Sequence, residues 1–157
     1  MTVVVNTSPL IALDRIGHLD VLPRLFGNVV RPQSVVNELL AGKRIYGGTD
    51  ALFHAAWLTT VDDPPEMLLR KELGAGETAV IALALRMKAD LTILDDLAAR
   101  NVAAELGLNV TGTLGLLLAA YRKGILKNPR HAFTALKEAG FRISETMTSK
   151  ILADIEL

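Results

Sequence analysis

The chain has 157 residues, of which 50% are hydrophobic and 4% aromatic, and its formal net charge is zero. This length is typical of one domain, so we predict a single domain over residues 1–157. The absence of cysteine excludes disulfides and thiolate metal sites and is compatible with a reducing, cytoplasmic location. The N-terminus lacks a signal-peptide pattern, and no apolar run reaches the ~18 residues that a membrane span needs.

The first predicted element is a strand over Val3–Val5, because a run of β-branched residues is typical of a strand buried on both faces. A helix should follow, with the Ser8 hydroxyl as its N-cap and Pro9 as its first residue. This helix is predicted to continue to about Ile16 and to stop at Gly17.

Strands and helices then alternate to the end of the chain. Further strands are predicted over 28–31, 57–61, 90–95 and 108–110. Further helices are predicted over 19–25, 32–40, 47–56, 66–72, 77–88, 96–106, 113–123, 129–139 and 144–155. This alternation predicts an α/β fold with a central, mostly parallel sheet of about four to five strands. Residues from about 125 to 157 would form a C-terminal helical extension.

Polar side chains follow two of the predicted buried strands, where α/β sheets place their functional sites. Asn6 follows the first strand, where an amide is equally typical of a turn residue that bonds the local backbone. Asp95 and Asp96 follow the strand "LTIL". Asp96 is explained as the N-cap of the next helix, whereas Asp95 has no such explanation. Adjacent carboxylates repel each other unless a cation or a hydrogen-bond donor lies near.

Two glutamates occupy helix faces that border the predicted core. Glu38 flanks the apolar arc of its helix, and it is also interpretable as an ordinary boundary residue. Glu77 begins the apolar segment "ETAVIALALRMK" and shares a face with Ile81 and Ala84. An acid in the first turn complements the helix dipole, but that does not explain a glutamate on a buried face.

These amide and carboxylate oxygens are the ligands that Mg²⁺ and Mn²⁺ prefer. The three histidines are scattered along the chain, and with no cysteine the pattern argues against zinc. We therefore interpret His18, His54 and His131 as surface or packing residues.

The order of these motifs resembles the PIN domain, the nuclease fold of VapC-type toxins. The resemblance rests on "VVVNTSPL", "SVVNELL", "GAGETAVIALA" and "LTILDD", and it covers residues 1 to about 124. It implies a three-layer α/β/α fold and a Mg²⁺- or Mn²⁺-dependent endoribonuclease that acts on RNA. It also implies a toxin paired with an antitoxin protein, and self-association, with a homodimer as the expected form.

The resemblance assigns a role to each of the motif residues. Glu38, Glu77 and Asp95 would be the catalytic residues and would ligate the metal directly or through water. Asp96 would be a further ligand or an acceptor behind the ligands. Phosphate or water would be bound by Thr7, Ser8, Arg100 and Thr113. Arg100 is equally well explained by an i,i+4 ion pair with Asp96, and Thr113 by N-capping.

The sequence departs from the family pattern at Asn6, where the first acid is usually an aspartate. An amide oxygen can ligate Mg²⁺ but brings no negative charge, so we predict weaker metal binding. We also predict that the extra carboxylate of Asp96 offsets this loss.

A second interpretation is a catalytically weak PIN-like module that binds RNA or a protein without cutting. Asn6 and the zero net charge favour this module, whereas the presence of Glu38, Glu77 and Asp95 favours the enzyme. A third interpretation, a phosphatase or phosphotransferase on another α/β fold, would need a nucleophilic aspartate after the first strand, and Asn6 argues against it. A stretch without acids carries five basic residues that are either a solvated face or a polyanion contact: Arg122, Lys123, Lys127, Arg130 and Lys137.

Overall fold

The computed structural model describes residues 1–65 and 72–156. The helix predicted over 66–72 falls almost wholly outside these ranges. Within them, none of the helices combines the length and the apolar character that crossing a bilayer requires.

A five-stranded sheet forms the centre of the fold. Its strands are β1 (Val3–Val5), β2 (Val29–Pro32), β3 (Leu58–Val61), β4 (Leu91–Ile93) and β5 (Val110–Thr111). Their order is β3-β2-β1-β4-β5, and every neighbouring pair is parallel. The strands β2 and β3 thus lie on one side of β1, and β4 and β5 lie on its other side. The carboxyl ends of β1 and β4 flank the point where the strand order reverses, which is where open α/β sheets bind ligands.

Helices connect and cover the strands. Before β4 these are α1 (Thr7–Arg15), α2 (Val21–Phe26), α3 (Gln33–Tyr46), α4 (Asp50–His54) and α5 (Ala75–Met87). After β4 come α6 (Leu97–Glu105), α7 (Thr113–Arg122), α8 (Pro129–Glu138) and α9 (Glu145–Glu156). The α3 and α5 helices pack on each other and on the sheet, α8 packs on α7, and α9 packs on α8. The predicted α/β/α architecture is confirmed.

The core explains why α5 is apolar almost all round. Eight of its residues are buried, from Gly76 and Thr78 through Ala84, because the helix contacts β1, β2, β4 and α3. A parallel sheet covered in this way has strands that are apolar on both faces, and the three valines of β1 are indeed fully buried.

Several predicted helix starts and ends are wrong: the helix predicted over 47–56, for example, spans only Asp50–His54. The first helix begins at Thr7, with Asn6 as its extended N-cap, so Ser8 and Pro9 lie inside the first turn. The helix predicted to end at Leu40 continues to Tyr46, because Gly47 rather than Gly42 supplies the positive φ, 71°, at its end. The α5 helix begins at Ala75 instead of Glu77, after the N-cap Gly74.

Two threonines in the sheet region provide a matched test of buried hydroxyl groups. Thr92 is fully buried and its Oγ1 has no hydrogen-bond partner, whereas Thr113 Oγ1 donates to Asp95 Oδ2 at 2.7 Å. We expect Thr92→Val to raise the free energy of unfolding by about 1 kcal/mol, because it removes an unsatisfied buried group. Thr113→Val should lower it by about 1–3 kcal/mol, because a bond to a carboxylate is lost. Urea denaturation measures both changes, and a loss of stability in Thr92→Val would contradict the assignment.

Candidate functional site

The candidate site lies at the carboxyl ends of β1 and β4. Asn6 directly follows β1, and its backbone N–H donates to Ile93 O, the last residue of β4, at 3.0 Å. Asp95 and Asp96 follow β4 after one further residue. The topology therefore brings together the two polar segments that the sequence placed after separate strands.

Asn6 is buried, with 5% of its surface exposed, and its Oδ1 has no hydrogen-bond partner. Its side chain does not cap α1, although the residue occupies the N-cap position. A buried oxygen left without a donor costs about 1–3 kcal/mol. The interpretation as a turn residue that bonds the local backbone does not account for this oxygen, whereas a bound cation would satisfy it.

Glu38 approaches the same place from α3. Its Oε2 accepts a hydrogen bond of 2.9 Å from the Thr7 hydroxyl, and Thr7 is the neighbour of Asn6. Its Oε1 lies over Gly76 in the first turn of α5, so close that a Cβ there would stand 2.0 Å away. Real Cβ atoms do not approach an oxygen so closely, so the carboxylate occupies this position only because residue 76 is glycine.

Glu77 lies next to Gly76 and is half-buried. Its Oε1 accepts a hydrogen bond of 2.9 Å from the backbone of Gly74. Burial raises the pKa of this carboxyl group above its ordinary value, the bond from Gly74 opposes that effect, and the negative charges of Asp96 and Glu38 raise it further. Three carboxylates thus lie close enough to interact, although they come from α3, α5 and the start of α6.

Asp96 is the N-cap of α6, as predicted, and its Oδ2 accepts from the Ala99 N–H at 3.0 Å. Glu38, Glu77 and Asp96 share one feature: across the described ranges, each has one carboxylate oxygen in a hydrogen bond and the other without one. The alternative prediction that Arg100 pairs with Asp96 is wrong, since no ion pair joins them among the residues described.

Asp95 differs from the other acids because both of its oxygens are engaged. Oδ1 accepts from the Thr113 backbone and Oδ2 from the Thr113 hydroxyl, each at 2.7 Å. This bond pair links the end of β4 to the start of α7. Gly112, the N-cap of α7, leaves room for it, because a Cβ there would stand 2.8 Å from Asp95 Oδ1.

The donor set fits a divalent cation that prefers oxygen ligands. It contains the unsatisfied Asn6 oxygen and three carboxylates with an unengaged oxygen each. Gly76 leaves room for one of these carboxylates, that of Glu38. Within 1–65 and 72–156, no three acidic or histidine side chains lie close enough together to share one ion.

Sequence reasoning missed two glycines and a helix anchor at this site. Gly76 and Gly112 provide the space for Glu38 and Asp95; the sequence signals were the glycine before Glu77 in "GAGE" and the glycine before Thr113 in "TGT". Asp63 accepts hydrogen bonds from the backbone and hydroxyl of Ser34 in the first turn of α3, and it thereby anchors the helix that carries Glu38. Ser8 is exposed and lines a groove beside Asp95 and Asp96.

Comparisons with known proteins agree with this architecture. The sequence profile of a family described as the PIN domain matches residues 2–156, and so includes the C-terminal helices. No curated protein matches the sequence. A solved structure of a PilT N-terminus domain protein from the archaeon Sulfolobus solfataricus is similar, with a TM-score of 0.58 and 18% identity. The match covers 76% of this chain and 93% of that one, and at this identity it establishes the fold.

Proposed function

The chain belongs to the PIN-domain family, and from that premise we propose that it is a Mg²⁺- or Mn²⁺-dependent endoribonuclease. The observation that carries the proposal is the buried, unsatisfied Asn6 Oδ1 beside the interacting carboxylates Glu38, Glu77 and Asp96. A metal-free role leaves the Asn6 oxygen without a partner, and the repulsion between the carboxylates is then offset only by one hydrogen bond to each. A divalent cation would remove both costs at once.

Each ligand is held by a donor from a neighbouring element. Thr7 fixes Glu38, Gly74 fixes Glu77, and Ala99 fixes Asp96. These bonds orient the carboxylates before an ion arrives, which lowers the reorganisation needed on binding. Asn6 Oδ1 would be a further ligand. We assign catalytic roles to Glu38, Glu77 and Asp95, as the motifs predict.

When bound, a divalent cation supplies positive charge for the scissile phosphate and lowers the pKa of the attacking water. Asp95 is held rigidly by Thr113, and a carboxylate oxygen keeps a second lone pair for a ligand or a water. Thr7 and Ser8 would bind water or phosphate at the start of α1, and Arg100 and Thr113 would bind phosphate on the α6 and α7 side.

Cleavage of a structured RNA with and without Mn²⁺ tests the proposal. The wild-type protein should cut the RNA only when the metal is present. The matched control is the Glu77→Gln/Asp95→Asn double variant, which keeps the size of both side chains. Cleavage that survives in this control would come from a contaminant, and absence of metal-dependent cleavage by the wild-type protein would refute the proposed activity.

We expect Asn6→Asp to strengthen Mn²⁺ binding about tenfold, because a carboxylate adds charge where the amide supplies only a dipole. The same change should lower the stability of the metal-free protein, since it places a fourth acid near the other three at a position that is itself buried. Calorimetric Mn²⁺ titration and thermal unfolding measure the two effects. The charge-matched control is Asn6→Asp/Asp96→Asn, which moves the carboxylate while asparagine keeps the N-cap. Unchanged affinity in Asn6→Asp would show that the amide is structural.

The second candidate function is a module that binds RNA or a protein without cutting, and the observation that favours it is the amide at Asn6. The Asn6→Asp titration also separates these functions. Binding of RNA by the wild-type protein without any cleavage in Mn²⁺, unchanged in Asn6→Asp, would favour the binding module.

We also propose that the chain is the toxin of a toxin–antitoxin pair, as the family resemblance implies. Expression in a bacterial host should arrest growth, and the Glu77→Gln variant should not. Co-expression of an antitoxin from a neighbouring reading frame should restore growth, whereas equal growth with wild-type and variant protein would contradict the toxin role.

Self-association is a further part of the proposal. Exposed apolar side chains occur on the two mutually packed helices, at Leu40 and Ile45 of α3 and at Leu85 and Met87 of α5. Light scattering should give a homodimer mass, and Ile45→Glu should shift it toward the monomer. A monomer mass for the wild-type protein would refute the dimer.

A further inference from the structure

A groove of about 740 Å³ opens beside the acid site. Ser8, Asp95 and Asp96 belong to its lining, so the groove reaches the candidate metal centre at Asp96. Its volume lies within the ~300–1,000 Å³ of pockets that enclose small organic ligands. The parts of a substrate that flank the group at the acids would therefore lie in this groove.

The C-terminal segment supplies part of this lining. Residues 141–144 and the first turns of α9 contribute Arg142, Met147 and Ile151. The remaining lining comes mainly from the starts of α6 and α7. The segment that sequence reasoning treated as an extension of the domain thus borders the site directly.

The groove carries two arginines besides its two acids. Arg142 is exposed, and no hydrogen bond or ion pair engages its side chain in the part of the chain described. Asp95 and Asp96 have other partners, Thr113 and Ala99. The guanidinium of Arg142 is therefore available for an anion that enters the groove.

Arg100 places the second positive charge close to the acids. Its Nη1 and Asp95 Oδ1 both lie over Gly112, at 3.1 and 2.8 Å from the position of a missing Cβ. Like Arg142, it forms no ion pair within the described ranges. The groove thus places two arginines beside the acids that would hold a cation. An RNA backbone that passes the metal would bring its neighbouring phosphates next to these arginines.

Apolar side chains line the same groove. Leu97 and Met147 are 68% and 47% exposed, and Phe141 is half-buried. Proteins that bind single-stranded nucleic acid combine positive charges for the backbone with apolar or aromatic surfaces for the bases. Since the net charge of the whole chain is zero, such binding must depend on this local arrangement.

We propose that Arg142 is a substrate-binding residue, through which the C-terminal segment holds a phosphate flanking the scissile one on a single RNA strand. Arg100 holds the phosphate nearer to the acids, and Leu97, Phe141 and Met147 contact bases. This inference rests on the proposed nuclease function and adds to it a residue outside the acidic motifs.

The test is the affinity for a fluorescein-labelled single-stranded oligoribonucleotide, measured by anisotropy over a range of salt. All variants carry Glu77→Gln, so that cleavage does not interfere. Arg142→Gln should weaken binding about three- to tenfold and reduce the slope of log K against log salt by about 0.7, as expected for one lost phosphate contact. Arg142→Lys should restore part of the affinity, since it keeps the charge.

Lys150→Gln is the matched control, because Lys150 is an exposed cation on α9 that does not line the groove. It should leave affinity and salt slope unchanged. Equal affinity of Arg142→Gln and its parent would overturn the inference. A loss of affinity in Arg122→Gln alone would also overturn it, because it would place the phosphate contact on the basic stretch that contains Arg122. Cleavage by the wild-type chain is assayed separately and reports on the nuclease function. A failure of the nuclease proposal can therefore be distinguished from a failure of the role proposed for Arg142.

Discussion

Gly76→Ala is expected to leave the protein folded and to weaken Mn²⁺ binding at least tenfold, the order of loss seen when the support of a metal ligand is removed. The new Cβ would stand 2.0 Å from Glu38 Oε1, so the carboxylate must leave its place over α5. Glu38 is exposed on α3 and its side chain is flexible, so the displacement costs little folding energy. Metal-dependent cleavage should fall with the affinity.

A double-mutant cycle with Glu38→Ala isolates this contact. Without the Glu38 side chain nothing opposes the Cβ, and Gly76→Ala should then raise the free energy of unfolding by about 0.5–1 kcal/mol, the difference in helix propensity. In the wild-type background Gly76→Ala should raise the free energy of unfolding by less, because the Glu38 carboxylate must move. Equal gains in both backgrounds, or unchanged Mn²⁺ affinity in Gly76→Ala, would show that residue 76 does not position Glu38.

Glu77→Gln is expected to lower metal-dependent cleavage about 100-fold, the upper end of the losses seen when a metal site is altered, and to stabilise the metal-free protein at neutral pH. The amide keeps an oxygen for the Gly74 N–H, but it loses a charge that burial and the carboxylates of Asp96 and Glu38 disfavour. The gain should stay below about 1 kcal/mol, since the side chain is partly solvated. Urea denaturation of both proteins with excess chelator measures it.

The pH dependence of this gain has a definite sign. A pKa raised in the folded state means that the folded protein binds the proton more tightly than the unfolded chain. The ionised group therefore destabilises the wild type fully above its folded pKa, and the cost disappears below the unfolded pKa. The advantage of Glu77→Gln should fade as the pH falls through this window. A stabilisation by Glu77→Gln that grows with acidity would contradict the assignment.

The sequence predicted the elements well where a single local signal decides them. The buried β-branched run of β1 and the N-cap at Asp96 are such signals, and both are confirmed. Element ends depend on backbone geometry that composition does not reveal. A glycine after an apolar helical segment predicts the end of the helix, and Gly42 stands there, yet α3 passes through Gly42 and ends at Gly47, which adopts the positive φ.

The proximity of Glu77 to Glu38 and Asp96 was predictable, because strand ends and helix starts of a parallel sheet meet at one edge. The hydrogen bonds that each acid makes were not predictable. Asp95 and Asp96 are neighbours in sequence, but Asp95 binds α7 through Thr113 whereas Asp96 caps its own helix. The role of Gly76 likewise depends on the approach of α3 to α5, a contact between residues 38 positions apart.

We propose that Asn6, Glu38, Glu77 and Asp96 enclose a divalent cation at the end of β1. The anomalous scattering of Mn²⁺ in crystals of the protein soaked with that ion tests this directly. We expect one anomalous peak within about 2.0–2.6 Å of Asn6 Oδ1 and of carboxylate oxygens from at least two of the three acids, the range of hard-cation distances. A peak elsewhere, or an ion among the acids with Asn6 Oδ1 outside that distance, would contradict it.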